Sequence, residues 1–354
     1  MVATSSVLKK VSPNGKLTLY LRCRDYASIN EPIDGVVELD PSYVKHRKVF
    51  ARLVAHFRYG REKDEVMGVK FHRDFILAST QLFPTSTNDQ KLTDIQTALT
   101  EKLDSRNVFP FVFYFPAAAP TSVSLQSREK EEHKKSCGIH YYVKVFVGEC
   151  ENDVPHRRST AKLNIRRIQY VSSDIVKRPS QTWAKQNFVI CTGDVELEAS
   201  IHKQFYETGE MIQVHVTVQN NSHKVVRKIY CTLYQKVNVQ MLHTGHYKRK
   251  IDEHVTKCGC PIRPGGSMQV TMSVRPSLKG NRSKGGVALD GHHKFELCDL
   301  ASSTFMHHNP VKEAFGIIVN YFIRVRLYIS PLQNVNTEIP FVLMPINPNE
   351  EKMQ

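Results

Sequence analysis

Tyr321-Phe322-Ile323-Arg324-Val325-Arg326-Leu327-Tyr328-Ile329 alternates with a period of two. Ile323, Val325 and Leu327 fall on one face of an extended chain and Arg324 and Arg326 on the other, which predicts a half-buried β-strand. Leu17-Thr18-Leu19-Tyr20-Leu21 and Val214-His215-Val216-Thr217-Val218 alternate in the same way. Turn-forming groups separate these runs: Pro13-Asn14-Gly15, Asp34-Gly35, Asn220-Asn221-Ser222 and Pro264-Gly265-Gly266. Many short strands with such punctuation predict an all-β protein built of sandwiches.

One stretch has a different period. Leu92, Ile95, Leu99 and Leu103 make an apolar stripe at helical spacing, with polar residues between. Asp94 near its start and Lys102 near its end suit the helix dipole. A single amphipathic helix in a β-rich chain must lay that stripe on a sheet.

The chain also reads as two versions of one pattern. Ile33-Asp34-Gly35-Val36-Val37 precedes Lys48-Val49-Phe50-Ala51-Arg52-Leu53, and Glu207-Thr208-Gly209 precedes Lys228-Ile229-Tyr230-Cys231-Thr232-Leu233. A glycine turn leads each time into a strand and then into a second strand of similar sequence. Ser172 to Ser180 is polar, proline-bearing and without period. The expected division is therefore residues 1–172, a hinge at 173–181 and residues 182–354.

Bulk properties narrow the class. A length of 354 residues suits two domains, and 41% hydrophobic with 23% charged residues is the balance of a folded chain. No apolar run approaches the ~20 residues of a membrane span, and Met1-Val2-Ala3-Thr4-Ser5-Ser6 lacks the apolar core of a secretory signal. A cytoplasmic protein is expected, with its eight scattered cysteines reduced and mostly buried. The formal net charge of +15 points to an anionic partner. Phosphates on a protein, acidic lipid and nucleic acid all satisfy it.

Catalytic chemistry finds no footing. Dinucleotide, phosphate-loop and nucleophile-elbow motifs are missing, so no enzyme and no cofactor are expected. Cys258-Gly259-Cys260 has the wrong spacing for a zinc site, and no second ligand pair follows it at finger-like distance. His292-His293 and His307-His308 lie in loop-like surroundings, where adjacent side chains of an extended chain point apart. No metal is expected. Nor does any helix carry a basic face or any stretch an RNA-binding signature, which argues against nucleic acid.

A family resemblance runs through the chain. Val7 to Thr18, Arg24-Asp25-Tyr26 with Pro32 to Val37, and Phe57-Arg58-Tyr59-Gly60-Arg61-Glu62 resemble arrestin segments. So do Val66-Met67-Gly68-Val69, Ile165-Arg166-Arg167-Ile168-Gln169-Tyr170, Val287 to Gly291, Leu300 to Thr304 and Phe315 to Val319. They occur in family order over nearly the whole length, and the likeness is greatest to the short arthropod sensory arrestins. The resemblance implies two tandem immunoglobulin-like antiparallel β-sandwiches with one short helix in the first. It also implies binding to an activated, phosphorylated G-protein-coupled receptor, recruitment to the membrane by that receptor, and exclusion of its G protein. Acidic membrane lipid or inositol phosphates are further partners it allows.

The resemblance also assigns residues. Lys9 and Lys10 match paired lysines that guide receptor phosphates, with Lys102, Arg167 and Lys294 as further basic positions. Arg166 matches a phosphate-sensing arginine whose partners are Asp25 and Asp290. Glu62, Asp64, Val66, Met67, Gly68 and Val69 match a finger loop that enters the receptor. Val7, Leu8, Ile95, Leu99 and Leu103 match a strand–helix contact that docks a C-terminal tail. Read without the resemblance, Lys9 and Lys10 are two solvated edge lysines, Arg166 pairs in a surface salt bridge, and residues 62–71 form a plain hairpin turn. Adjacent strand residues face opposite ways, so Lys9 and Lys10 could share one phosphate only if the strand bends.

Two departures stand out. The sequence ends at Gln354, and no clathrin-binding motif follows Phe341-Val342-Leu343-Met344-Pro345. One acidic position after Asp290 is Leu297, and Asp299 is the expected substitute, giving a weaker latch. A second function fits the same fold: a trafficking scaffold that binds membrane cargo regardless of receptor activation.

Overall fold

Gly15, at φ +72°, turns the chain between β1 (Leu8–Val11) and β2 (Leu17–Leu21), where the left-handed region favours glycine. This hairpin opens a computed structural model that describes residues 7–27, 30–60, 71–85, 91–103, 107–126, 137–170, 180–187, 193–240, 244–256, 258–291, 298–304 and 316–345. Contacts divide the chain into two units, Met1–Ser122 with Cys137–Ile168, and Val123–Ser136 with Gln169–Gln354.

In the first unit, β1 and β2 continue into β4 (Ile33–Leu39) and β7 (Val108–Phe113), in the order β1-β2-β4-β7. A second sheet runs β6 (His72–Phe83), β5 (Lys48–Arg58), β9 (Gly138–Gly148), β10 (Thr160–Arg167) and β3 (Asp25–Tyr26). All pairings are antiparallel except β10 with β3, which is parallel. Between the sheets lie Leu17, Leu19, Leu21, Leu53, Tyr141 and Val143, all buried.

The second unit repeats this plan. Its first sheet is β11 (Ser180–Asn187), β12 (Asp194–Ile201), β14 (Ile212–Asn220) and β17 (Ser267–Val274). Its second is β16 (Thr244–Thr256), β15 (Lys228–Gln240), β19 (Gly316–Ser330), β20 (Gln333–Leu343) and β13 (Phe205–Tyr206). Again the last pair, β20 with β13, is parallel. Each unit is a β-sandwich, as the alternation and turns require.

The helix lies where the stripe places it, with an unforeseen polar anchor. α1 is a single turn at Pro41–Val44, and α2 spans Asp94–Lys102. Thr93 caps α2 in a capping box with Gln96, which satisfies donors the helix leaves open. Leu92 precedes the cap and is exposed, so the stripe starts at Ile95. Gln96 takes a core-facing place, buried, its amide donating to the carbonyls of Gly35 (3.1 Å) and Phe111 (2.8 Å). α2 therefore covers the outer face of β2, β4 and β7, and β2 is buried along its whole length rather than half-buried.

Two further expectations are corrected. Asp34-Gly35 is no turn but lies inside β4. A Cβ on Gly35 would stand 2.2 Å from the Tyr20 carbonyl, so glycine is there for close approach of two backbones. Val123–Leu125, β8, pairs antiparallel with β18 (Ala288–Asp290) and is grouped by contacts with the second unit. Of the described cysteines all are free thiols, but only Cys231 is buried, while Cys150 and Cys258 are exposed.

Candidate functional site

Arg166 is positioned by backbone pairing before its side chain acts. The parallel register sets Arg166 opposite Asp25 and Arg167 opposite Tyr26. The amide of Arg166 donates to the Arg24 carbonyl at 2.7 Å, and that of Ile168 to the Tyr26 carbonyl at 3.0 Å. Tyr26 holds this short strand down: its ring is buried and packs edge-on to Phe115, and its hydroxyl donates to the Cys23 carbonyl. Burial pushes that phenol far above its ordinary range.

On this frame the guanidinium of Arg166 grips Asp25 with two hydrogen bonds, Nε to Oδ1 at 2.6 Å and Nη2 to Oδ2 at 2.5 Å. Bidentate charge-assisted pairs of this kind are among the stronger polar contacts. The arginine side chain is 12% exposed and the carboxylate 38%. The pair is thus half in solvent, with the cation the deeper member.

Arg167 faces the other way. It is 3% exposed, its Nε donates to the Ala119 carbonyl at 2.8 Å, and its guanidinium lies over the Phe115 ring. That burial does not suit a phosphate ligand; Arg167 packs the interior.

Lys9 and Lys10 are both exposed on edge strand β1. The register is regular, with Lys9 opposite Tyr20 and Lys10 opposite Leu19. No bend brings the two to one side. Lys9 Nζ lies 5.4 Å from the Tyr20 ring centre, and the Tyr20 hydroxyl donates to Glu38 Oε2 at 3.1 Å. Val7, Ile95 and Leu103 pack on the buried cluster of Tyr20, Val36, Leu99 and Val108. Leu8, opposite Leu21, points to the other face and is no member of that cluster. Lys102 is exposed at the end of α2.

Asp290 and Asp299 belong to the second unit. The amide of Asp290 donates to the Asp299 carbonyl at 3.0 Å, and that of Asp299 to Asp290 Oδ1 at 2.9 Å. Asp299 Oδ1 in turn accepts from the Leu300 amide. Partial loss of hydration raises the Asp299 carboxyl above its usual value.

Glu62, Asp64, Val66, Met67, Gly68, Val69 and Lys294 lie outside the described residues, as do residues 173–179 of the expected hinge and His292-His293 and His307-His308. The residues on either side of 61–70 are described. The amides of Tyr59 and Gly60 both donate to the Phe71 carbonyl, at 3.0 and 3.3 Å. Arg58 is 1% exposed and Nη2 donates to His72 Nδ1 at 3.2 Å.

A row of basic residues carries no motif. Arg52, Lys144 and Lys162 stand in one row across β5, β9 and β10. Alternation puts Lys162 and Arg166 on the same face of β10. Aromatic rings carry this row: Arg52 lies 4.5 Å from the Phe146 ring centre and Lys162 3.5 Å from that of Tyr142. Burial lowers the Lys144 ammonium, and neighbouring Arg52 adds to that. Beside them Asp74 accepts from Tyr142 and pairs with His56, each at 2.6 Å. Only strand pairing aligns these residues, so spacing along the chain could not reveal them. Among the described residues no group of three or more histidines, cysteines or carboxylates could hold a metal, and no helix is long and apolar enough to cross a membrane.

Comparison with known proteins fits both units. Residues 22–171 match the family described as arrestin (or S-antigen), N-terminal domain, and residues 191–348 match its C-terminal domain. The chain belongs to the arrestin family. It is 40% identical to Phosrestin-2 of Drosophila melanogaster over 99% of this chain and 97% of that one. It is 42% identical to an arrestin homolog of Heliothis virescens, over 100% of this chain and 93% of the relative. To the lateral-eye arrestin of Limulus polyphemus it is 38% identical over 94% of this chain and 82% of the relative. Arthropod arrestins, one of them from an eye, are what the resemblance implied. Membership of the arrestin family supports termination of receptor signalling as the broad role.

Proposed function

We propose that this arrestin binds the cytoplasmic face of an activated, phosphorylated G-protein-coupled receptor and blocks its G protein, ending the signal. One observation carries the phosphate part. The parallel strand pair exists in both units, and the second fills it with Phe205 opposite Val342, an apolar contact that packs with Met344. The first fills it with Asp25 opposite Arg166. The fold does not need charge there, so the ion pair has a role besides folding.

The pair has the right strength for a latch. Exposed ion pairs contribute about 0–1 kcal/mol and breaking buried ones costs ~3–5 kcal/mol; this pair, half in solvent, falls between. A phosphate with close to two negative charges and three acceptor oxygens outbids a single carboxylate for one guanidinium. Lys9 and Lys10 on the open edge of β1, Lys102 on α2, and Lys162 on the face of Arg166 supply positive charge to draw it in.

Asp290 and Asp299 as further acidic members of the sensor, Lys294 as a further phosphate ligand, residues 62–69 as the receptor-entering loop and 173–181 as the hinge belong to the same proposal. So does docking of a C-terminal tail on the Val7–Ile95–Leu99–Leu103 contact. The protein would work in the cytoplasm and move to the membrane with its receptor.

Co-sedimentation with receptor-bearing membranes tests it, using inactive or active receptor, each phosphorylated or not. Binding should be confined to active receptor and strengthened about tenfold by phosphate, equivalent to about 1.4 kcal/mol. Lys9→Ala with Lys10→Ala should weaken only the phosphorylated arm. Equal binding in all four states would instead indicate a trafficking scaffold.

A further inference from the structure

A histidine pair on the second unit has no part in receptor binding as proposed above. His215 lies within β14, opposite Ser200 of β12 and Thr271 of β17. His202 follows the end of β12, two residues beyond Ser200, which makes it a diagonal neighbour of His215 on the same face. The two Nε2 atoms are 2.8 Å apart, with the ring centres at 4.6 Å and the rings inclined by 75°. Thr271 Oγ1 stands 3.1 Å from His215 Nδ1.

We infer that His202 and His215 form a two-histidine site for a divalent transition-metal ion with right-angled coordination, of the copper(II) or nickel(II) class. Imidazole nitrogen binds such ions at about 2.0–2.1 Å. Two ligands at right angles on one ion then stand about 2.8–3.0 Å apart, whereas a tetrahedral zinc site needs about 3.3 Å. The observed separation of 2.8 Å matches the first geometry, so an ion would replace the shared proton with the two nitrogens no farther apart.

The surroundings complete the site. Metal-binding histidines usually engage their other ring nitrogen in a hydrogen bond that fixes tautomer and orientation. Thr271 does this for His215: with Nδ1–H donating to the hydroxyl, the Nε2 lone pair is left for the ion. His202 is exposed, so the ion can enter and water can fill the remaining positions. The adjacent cation, Lys203, is engaged by Glu210 at 2.7 Å. This leaves the ring pair free of a competing local charge from that side.

Nickel(II) is the probe of choice because it does not oxidise the thiols. Calorimetric titration of the whole chain in a non-coordinating buffer at pH 7.5 should show a site that His202→Ala with His215→Ala removes. Each single variant should weaken that site by more than tenfold, and Thr271→Val by a smaller factor. Imidazole resonances assigned to His202 and His215 should broaden before those of the other histidines when nickel is added. Unfolding curves of the apo variants should overlay wild type, since both rings lie on the solvent side of the sheet. Should the double variant keep the wild-type nickel affinity, or other imidazoles broaden first, the pair is a simple hydrogen-bonded contact and the inference fails.

Discussion

In the first unit the parallel strands β3 and β10 set Asp25 beside Arg166; in the second the corresponding β13 and β20 set Phe205 beside Val342. The outer faces differ as well. All five residues of β2 are buried, three between the sheets and Tyr20 beneath helix α2, while β14 keeps alternating side chains toward solvent. Topology is shared, so the strand pairing does not dictate these differences. The first unit has a half-exposed ion pair where the second has an apolar contact, and a helix roofs one of its sheets next to the edge strand.

The largest expected effect concerns two glycines that the sequence pattern sets in parallel. Gly35→Ala drives a Cβ into the Tyr20 carbonyl and should cost more than about 4 kcal/mol or prevent folding. Gly209→Ala meets open space at φ +84° and should cost about 1–2 kcal/mol of backbone strain. Urea unfolding and expression yield compare them; equal costs would mean that β4 and the turn at Gly209 are equivalent after all.

Next is the helix. Gln96→Leu leaves two buried carbonyls without their side-chain donor and should cost about 2 kcal/mol, read from urea midpoints. The second unit has no described counterpart, so no substitution on the outer face of β14 should match it.

Smaller still is the graft of the second unit's pair into the first. Asp25→Phe with Arg166→Val should leave unfolding stability unchanged or raise it by up to about 2 kcal/mol, because apolar replacements of such pairs tend to be neutral or favourable. A loss of several kcal/mol would make the ion pair structural.

The smallest is a pH effect at Asp74. Burial acts to raise its pKa, but hydrogen bonds from His56 and Tyr142 outweigh that and hold it at about 2, below the ordinary 3.8. The stability it contributes is complete above the ordinary value and fades as pH falls toward about 2. Asp74→Asn should flatten that part of the acid-unfolding curve.

Much of this was legible in the chain. Period-two runs found β2, β14 and β19, and the stripe from Leu92 to Leu103 found α2, because alternation and helical spacing are local properties. The extent of burial was not legible, since what covers a strand lies far away in sequence: Thr18 looked solvent-facing and is buried. Asp34-Gly35 misled for the same reason. A dipeptide that favours turns was overruled by contacts with Tyr20, Arg22 and Thr93. At the site, motif likeness found Asp25 and Arg166. It could not separate Arg166 from Arg167, whose opposite fates follow from which face of β10 each occupies. The row of Arg52, Lys144 and Lys162 needed strand register, which no linear motif encodes.

The central claim is that the Asp25–Arg166 pair exists to respond to phosphate. Its most direct test is co-sedimentation of the Asp25→Phe/Arg166→Val graft beside wild type, on active receptor membranes with and without phosphorylation. The account predicts that wild type prefers phosphorylated receptor by about tenfold, while the folded graft binds both forms alike. A graft that keeps the wild-type preference would contradict it.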